Sequence, residues 1–460
     1  MRTSHTDLLV DAARRAGRYQ EGLVHRTVGP DKVALANLGE FSDELPEQPT
    51  APMEVLDLLD RLGSAATMAS NGGRYFGFVN GGTDPAAQAA AIMVGAWDQN
   101  GATPVMSPIA ARLDELAARW VCSLLGLPDA ATATFCGGAT IANITGIVAG
   151  RDALLHRLGW SVDEDGLRGA PPLRVITGEE THISVLKALR VLGFGRADIT
   201  AVPTDGYGRV RADQIGVIDD HTLLVLQAGN VNTGHSDPFE LIMDRVAGTG
   251  AWVHVDGAFG LWAAAAPGRA AQLRGVEQAD SWATDGHKWL NLPYDCGIAL
   301  CARAEDLRRA LATDAAYVGN GDEDRVAMHL GLQMSQRARG VEVWAMLASR
   351  GSNGVAALVE RCCALAELAA RRFEELGAKV LVPVALNQVL IHFGDDATTD
   401  AVIDAAQREG TCWAGATTWQ GQRAMRFSVS DEATTDVAIE VSVAAIGRCW
   451  AEVRATQPPE

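Results

Sequence analysis

Residues 281–300 read SWATDGHKWLNLPYDCGIAL, and their one lysine, Lys288, stands between a histidine and a tryptophan. Apolar stretches precede and follow it, which indicates a position just after a buried strand. A lysine held among apolar neighbours gives up its proton more readily than one in water, and the neutral amine can form a Schiff base. The alternative is a lysine that caps a core strand and extends its ammonium group into water. The rest of the chain has to distinguish these two interpretations.

Length and composition describe an acidic globular protein. The chain has 460 residues, of which 48% are hydrophobic and 21% charged, so two or three domains around a sizeable core are expected. The net charge of −18, with no cluster of lysine or arginine to offset it, argues against nucleic acid and anionic membranes as partners. No run of about 18 apolar residues predicts a membrane span.

Cysteine usage and the first residues bear on location. The eight cysteines are scattered, without a CxxC pair or a metal-ligand spacing, which predicts reduced, mostly buried thiols and no metal site. The first residues are charged and amphipathic and lack the apolar centre of a secretory signal. A cytoplasmic protein is therefore expected.

Short apolar stretches alternate with helical patterns through the middle of the chain. The strand-like stretches are residues 132–135, 173–177, 199–202, 222–227, 252–256 and 281–284. This alternation predicts βαβ units and a mostly parallel sheet with helices on both faces. Ligands collect at the carboxyl ends of the strands in such sheets. Polar residues follow those ends, at 181–182, 227–232, 256 and 287–288.

The chain changes character beyond residue 303. Residues 315–334 are polar and glycine-containing, which suits a mobile lid. A long helical pattern, two strand-like stretches at 386–393 and 424–430, and a helix near 401–409 then predict an α+β C-terminal domain.

A glycine-rich turn, CGGATIAN at residues 136–143, leads into one of the predicted helices. Gly137 and Gly138 permit a tight turn, and Thr140 is predicted to cap the helix. Free N–H groups and the helix dipole make such a helix start suitable for an anion. The sequence is neither the P-loop nor the dinucleotide fingerprint, so the turn alone does not identify the anion.

Three further residues make the pattern more specific. Asp256 either caps a turn or, beside a cationic aromatic nitrogen, keeps that nitrogen protonated. His182 is either a hydrogen-bonded core histidine or a ring that stacks on a flat cofactor. Ala258, two residues past Asp256 and expected on the same strand face, leaves room for such a ring. Together with the glycine turn and Lys288 they supply what pyridoxal phosphate (PLP) requires, which favours the Schiff-base interpretation of the lysine.

Two of these stretches resemble a known family. HVDGAFG at 254–260, followed by TDGHKWLNLPYDCG at 284–297, resembles the signature of the pyridoxal-dependent group II decarboxylases, the family of aromatic-L-amino-acid, histidine and glutamate decarboxylases. The resemblance extends from about Tyr75 to about Ser430. It is especially marked with a bacterial branch carrying YFGFV, LQAGNVNTG and WVHVDGAFG.

The resemblance implies an architecture: the α/β, PLP-dependent transferase fold type I (aspartate aminotransferase-like), with a mostly parallel sheet in its large domain and a smaller α+β C-terminal domain. It places an N-terminal helical arm at 1–75, the PLP-binding large domain at 76–312, and the lid and small domain at 313–460. It also implies a homodimer with shared active sites, in which the arm and lid cross the interface.

The resemblance also implies residue roles. The cofactor residues are Lys288 as the Schiff-base lysine, Asp256 at the pyridine nitrogen, His182 and Ala258 on the two faces of the ring, and Ala139, Thr140 and His287 at the phosphate. Lys288, His182 and the lid tyrosine Tyr317 are the expected catalytic residues, with Tyr317 returning a proton to the substrate carbon. The substrate residues are Phe78, Val79 and Asn80 in the pocket wall, Arg426 near the substrate, and Trp97, an aromatic that we add to the wall.

Several residues depart from the family pattern. Asp285 stands where many members have asparagine, and because an aspartate repels a phosphate dianion it is not assigned to the phosphate. Gln227 replaces a threonine, and Gln336 breaks a double arginine. Asn80 and Gly81 replace a proline–threonine pair at the pocket wall, so specificity for aromatic substrates does not follow from the resemblance.

The expected activity is PLP-dependent decarboxylation of an L-amino acid, with an aromatic or other bulky side chain, to the amine and carbon dioxide. Three alternatives stay open. They are decarboxylation coupled to oxidative deamination to an aldehyde, β-elimination on the same scaffold, and a PLP-binding module without turnover. The presence of Lys288 and Tyr317 argues against the last.

Overall fold

The computed structural model describes residues 4–313 and 325–456. The chain divides into two compact units. The terminal unit comprises Met1–Gly82, Glu367–Leu381 and Val389–Glu460, and the central unit comprises Thr83–Ala366 and Val382–Gln388. The predicted segments 1–75, 76–312 and 313–460 do not coincide with these units, because both ends of the chain fall in the terminal unit. As domain boundaries they stay a prediction.

The regular elements follow in chain order. The helices are α1 His5–Gly22, α2 Lys32–Asn37, α3 Pro52–Leu58, α4 Pro85–Trp97, α5 Pro108–Leu124, α6 Ala139–Arg157, α7 Val162–Asp165, α8 Ile183–Val191, α9 Phe239–Val246, α10 Ala304–Leu311, α11 Arg339–Glu375, α12 Asp396–Glu409 and α13 Asp436–Thr456. The strands are β1 Thr132–Cys136, β2 Arg174–Gly178, β3 Ile199–Val202, β4 Thr222–Gln227, β5 Trp252–Asp256, β6 Ser281–Asp285, β7 Gly297–Cys301, β8 Lys379–Val380, β9 Gln388–His392, β10 Gly415–Trp419 and β11 Gln422–Ser428. Helix α11 is interrupted at Gly351, where φ is 62°.

A seven-stranded sheet forms the centre of the central unit, in the order β1-β7-β6-β5-β4-β2-β3. Strands β2 to β6 are mutually parallel, whereas β7 runs antiparallel to both of its neighbours. Strands β5, β6 and β7 are buried at every position, as expected at the centre of a sheet that is covered on both faces. The predicted mostly parallel sheet is confirmed, and the antiparallel β7 is an addition to it.

Helix α6 is buried along most of its length, and a group of three polar side chains within the core connects it to the sheet. Within this group the His254 Nε2 atom lies 2.8 Å from Asn143 Oδ1, and its Nδ1 atom lies 2.8 Å from Ser281 Oγ. The three residues belong to β5, α6 and β6, so one imidazole connects the helix to two neighbouring strands. Burial lowers the pKa of His254 to about 3, and the ring is therefore neutral.

The terminal unit contains a four-stranded sheet in the order β10-β11-β9-β8, with α12 and α13 among its helices. The predicted strands at 386–393 and 424–430 correspond to β9 and β11. Helix α12 begins earlier than predicted, since the Asp395 side chain caps it by accepting the Thr398 N–H at 2.8 Å. Among the helices at 4–313 and 325–456, none is both long and apolar enough to cross a membrane.

Candidate active site

Three parallel strands end in polar residues at the same edge of the central sheet. Gln227, Asp256 and Asp285 are the last residues of β4, β5 and β6. Gln227 lies opposite Asp256 in the register, and Asp256 lies opposite Ala283, two residues before Asp285. The sequence-based expectation that polar side chains gather at this edge is met by these strand ends.

Asp256 is buried, with 4% of its surface exposed. Its Oδ1 atom accepts the backbone N–H of Ala258 at 3.1 Å. Burial raises the pKa of the Asp256 carboxyl above its ordinary value, and attraction to His182 and to Lys288 lowers it again in part. The structure therefore brings His182 and Lys288 within electrostatic reach of one buried carboxylate.

The expected place of Ala258 on a strand face is wrong. Strand β5 ends at Asp256, and Ala258 lies in the turn that follows. Its N–H donates to the Asp256 side chain, and its carbonyl accepts the backbone N–H of Asp285 at 2.9 Å. Ala258 thus connects the ends of two strands, and its role beneath a cofactor ring stays a prediction.

Lys288 is directed towards a buried carboxylate. Its Nζ atom lies 3.1 Å from Asp285 Oδ2, and the two side chains are 19% and 3% exposed. This geometry disfavours the alternative of a lysine that extends into water. Strand β6 runs one residue further than predicted, so Asp285 is held by the sheet ladder rather than by a loop.

The start of α6 is stabilised from outside the helix. The helix begins at Ala139 after Gly138, whose φ is 131° and which provides no side-chain cap. The prediction that Thr140 caps the helix is therefore wrong, because Thr140 is the second helical residue. Instead the backbone N–H of Ala139 donates to Asp285 Oδ1 at 2.6 Å. Contact of Ala139 and Thr140 with a phosphate stays a prediction.

Gly297, the first residue of β7, sets the distance between the helix start and β6. It pairs with Cys136 on one side and with Asp285 on the other. A Cβ atom at Gly297 would lie 2.6 Å from the backbone nitrogen of Gly138 and closer still to other backbone atoms of that residue. Only glycine allows this approach, and the approach lets Asp285 reach Ala139.

Each of the two predicted histidines is fixed through Nδ1. His287 Nδ1 lies 2.8 Å from the carbonyl oxygen of Cys296, and its Nε2 lies 3.7 Å from Asp285 Oδ1. Burial lowers the pKa of His287, and the charge of Asp285 opposes that shift. His182 Nδ1 accepts the backbone N–H of Ser184 at 3.3 Å and lies 2.8 Å from its hydroxyl, which places the proton of a neutral ring on Nε2.

The terminal unit holds further predicted residues. The rings of Phe78 and Tyr75 both stack on Trp413, at centroid distances of 5.4 and 5.0 Å. Burial lowers the pKa of Arg426, and attraction to Tyr75 opposes that shift. Phe78 and Val79 have φ values of 52° and 59°, which is unusual for residues with a Cβ atom, above all for a β-branched one. Phe78 and Arg426 therefore belong to one aromatic group.

Two of the remaining predicted residues lie in a turn and at the end of a helix. The Asn80 N–H donates to the Gly77 carbonyl in a turn at 3.1 Å. Trp97 ends α4 and is 37% exposed. Tyr317 and the first half of the predicted lid at 315–334 lie outside the described residues.

Sequence reasoning missed two acidic residues beside the glycine turn. Asp285 was left without a role, and Asp295 was not considered. Asp295 accepts hydrogen bonds from the buried Arg339 guanidinium, with Nε 3.2 Å from Oδ1, and a Cβ at Gly137 would lie 2.9 Å from its Oδ2. The aspartates in DGHK and PYDCG were the available signals. Among the described residues no group of three or more His, Cys, Asp or Glu side chains is arranged to hold a metal ion.

Known proteins share this fold and parts of this sequence. The chain is 26% identical over 317 residues to the aromatic-L-amino-acid decarboxylase of Bacillus atrophaeus, a match that covers 66% of this chain and 64% of the relative. It is 28% identical over 399 residues to tryptophan decarboxylase 1 of Oryza sativa subsp. japonica, covering 77% and 76%. The chain thus spans less than two thirds of the Bacillus relative.

The structural comparison concerns the fold. The crystal structure of Oryza sativa TDC with PLP and tryptamine superposes with a TM-score of 0.89 at 21% identity and 97% coverage of both chains. At that identity the likeness establishes the fold, and the predicted fold type I is confirmed. In sequence, the family model described as the pyridoxal-dependent decarboxylase conserved domain matches residues 43–393 of this chain. Because that match covers most of the 460 residues, the chain belongs to the pyridoxal-dependent decarboxylase family.

Proposed function

We propose that the protein catalyses the PLP-dependent decarboxylation of an L-amino acid to the amine and carbon dioxide. The observation that carries the proposal is the arrangement at the sheet edge, where Lys288 and the start of α6 meet at Asp285 beside the buried Asp256. Family membership supports the same reaction class.

The residues present fit PLP. The helix start, His287 and Lys288 provide donors or positive charge, whereas the neighbouring strand provides the Asp256 carboxylate. PLP has the matching polarity, with a phosphate at one end and a basic ring nitrogen at the other. A Cβ at Gly138 would lie 3.4 Å from His287 Cε1, so glycine leaves space between the helix start and the histidine. The charge of Asp285 is opposite to that expected at the phosphate.

Each residue has a defined task in this proposal. Lys288 holds the cofactor covalently through Nζ, and Asp256 keeps the ring nitrogen protonated. His182 and Ala258 would contact the two faces of the ring. Ala139 and Thr140 bind the phosphate together with His287. When bound, PLP supplies an electron sink conjugated to the substrate carbon from which carbon dioxide leaves.

The proposed substrate is an amino acid with an aromatic or other bulky side chain. The support is the chemistry of the aromatic group around Trp413, where Phe78 and the positive charge of Arg426 are found together with Tyr75. Aromatic rings favour other rings and apolar chains, and arginine favours a carboxylate. By resemblance we propose that Phe78, Val79, Asn80, Trp97 and Arg426 contact the substrate.

The proton that replaces carbon dioxide comes, in this proposal, from the phenol of Tyr317. The support is the sequence alone, because Tyr317 lies outside the described residues. A homodimer with shared active sites and a cytoplasmic location are likewise proposed from the resemblance and from composition.

The test is chemical labelling followed by product analysis. The purified protein should be yellow, and borohydride should remove the colour and leave the reduced cofactor on Lys288 in peptide mapping. A colourless protein that ignores added PLP, or a label on another lysine, would end the proposal.

A panel of L-amino acids, with amine, aldehyde, ammonia and peroxide measured in each case, then identifies the reaction. Amine and carbon dioxide are the expected products. Aldehyde and peroxide without amine would favour oxidative deamination, and an unsaturated or keto product without carbon dioxide would favour β-elimination. PLP bound at Lys288 without turnover of any amino acid would favour a binding module.

A further inference from the structure

Asp285 contacts the same groups that the proposed function gives to the cofactor. Its Oδ1 atom accepts the Ala139 N–H at 2.6 Å and lies 3.7 Å from His287 Nε2, and its Oδ2 atom lies 3.1 Å from Lys288 Nζ. The residue is 2% exposed. A buried carboxylate depends on its partners for stabilisation, so these contacts replace the water that Asp285 loses on folding.

The carboxylate also stabilises the start of α6. Gly138 precedes the helix and has no side chain to cap it. Negative charge near a helix N-terminus is favourable, because the free N–H groups and the dipole both point towards it. Asp285 provides that charge from β6, and the pairing of Gly297 with Asp285 fixes its position. The helix start and Lys288 are thus held in place by one side chain.

A phosphate at the helix start has to share its donors with this carboxylate. It either displaces Asp285 from the Ala139 N–H or lies beside a like charge, and each of these costs free energy. An asparagine of the same shape carries no charge and offers an N–H₂ group as a donor. Among the described residues, the titratable neighbours of Asp285 include Lys288 and His287 after β6, and Asp256 on β5.

We propose that Asp285 is a positioning residue that competes with the cofactor phosphate. It keeps the helix start and Lys288 arranged in the cofactor-free protein, and it lowers the affinity for the phosphorylated cofactor relative to the same aldehyde without phosphate. The inference rests on the proposed function, since it takes PLP to be the ligand of this site.

The experiment compares PLP with pyridoxal on the cofactor-free wild type and on Asp285→Asn. Both ligands carry the aldehyde that reacts with Lys288, so the ratio of their dissociation constants isolates the phosphate. The Asp285→Asn variant should raise the preference for PLP about tenfold, the usual worth of roughly one charge-assisted hydrogen bond. Its cofactor-free form should melt at a lower temperature than wild type, and PLP should raise that temperature by more than it does in wild type.

The matched control is Asp306→Asn on α10. Asp306 is also buried, with a side chain 6% exposed, and pairs with Arg303 at 2.7 Å and with Arg309 at 2.6 Å. The same chemical change there should lower the melting temperature and leave the preference for PLP over pyridoxal unchanged.

The outcomes separate the inference from the proposed function. A wild type that binds neither aldehyde ligand refutes the proposed function. A wild type that binds PLP, with an Asp285→Asn variant whose preference is unchanged or reduced, overturns the inference alone. Equal loss of both ligands in the variant also overturns it, because Asp285 would then only maintain the scaffold. If Asp285→Asn does not fold, Asp285→Ser removes the same charge. The ratio of the dissociation constants of PLP and pyridoxal is then measured on that variant and compared with wild type.

Discussion

The substitution Gly297→Ala tests whether β7 sets the geometry of the proposed cofactor site. The added methyl carbon would lie 2.6 Å from the Gly138 backbone nitrogen, whereas optimal contacts between heavy atoms are about 3.5–4.0 Å. The obstructing atoms all belong to the backbone of Gly138, so no side chain can rotate away. Strand and helix start must separate by roughly 1 Å, at a cost in unfolding free energy of about 1–3 kcal/mol, as for other overpacked sites.

The same separation should weaken cofactor binding. It breaks the 2.6 Å hydrogen bond from Ala139 to Asp285 and moves the N–H groups assigned to the phosphate. We expect the dissociation constant for PLP to rise at least tenfold, about the worth of one charge-assisted hydrogen bond. The control is Gly206→Ala, since Gly206 is exposed and no atom lies within 4 Å of a Cβ placed there.

The measurements are thermal melting of the cofactor-free proteins and PLP titration followed by absorbance. The control should match wild type in both. If Gly297→Ala also matched wild type in melting temperature and PLP affinity, the close approach of β7 to the helix start would not determine the site.

Three further predictions concern single side chains. Asp256→Ala should abolish most turnover with little loss of melting temperature, because burial already disfavours the charged carboxyl; near-normal turnover would contradict the assigned role. Tyr317→Phe should reduce amine formation by roughly 10²–10⁴-fold, with aldehyde, ammonia and peroxide formed in air but not under argon, and unchanged amine output would remove Tyr317 from the mechanism. His254 has a folded-state pKa of about 3 against 6.5 ordinarily, so the unfolded chain takes up that proton first and stability falls as the pH drops from 6.5 towards 3. The free energy of unfolding of the wild type should fall by up to about 1.4 kcal/mol per pH unit in that range, and urea unfolding should show that His254→Gln removes this fall. Equal pH slopes of the unfolding free energy in wild type and variant would show that His254 does not titrate this way.

Sequence patterns predicted the parallel part of the sheet well because each strand there is a short apolar run between helices. Residues 199–202, 222–227 and 252–256 were predicted with the observed bounds. Strand β7 was not predicted as a separate antiparallel strand. Its sequence GIALC is as apolar as that of a parallel strand, and apolarity does not indicate direction.

The site was predicted in its chemistry and less well in its local geometry. Lys288, Asp256 and His182 were expected together, and the structure places their charges within reach of one another. Thr140 was expected to cap α6 because threonine is a common capping residue, but the helix starts at Ala139, two residues earlier than a cap at Thr140 requires, and uses Asp285. A contact between residues 146 positions apart has no signal in a single sequence.

Local sequence and strand register therefore contribute different parts of this site. The order of residues around Lys288 determines which chemical groups are present, and the short stretches that resemble the family contain that order. The distances between the groups depend on β7, which pairs with the end of β1 and with the end of β6 at the same glycine. A substitution in β7 can consequently disable the site without changing any residue that binds the cofactor, whereas the conservative change Asp285→Asn should alter the preference for phosphate without changing the register. The two substitutions together distinguish control of geometry from control of charge.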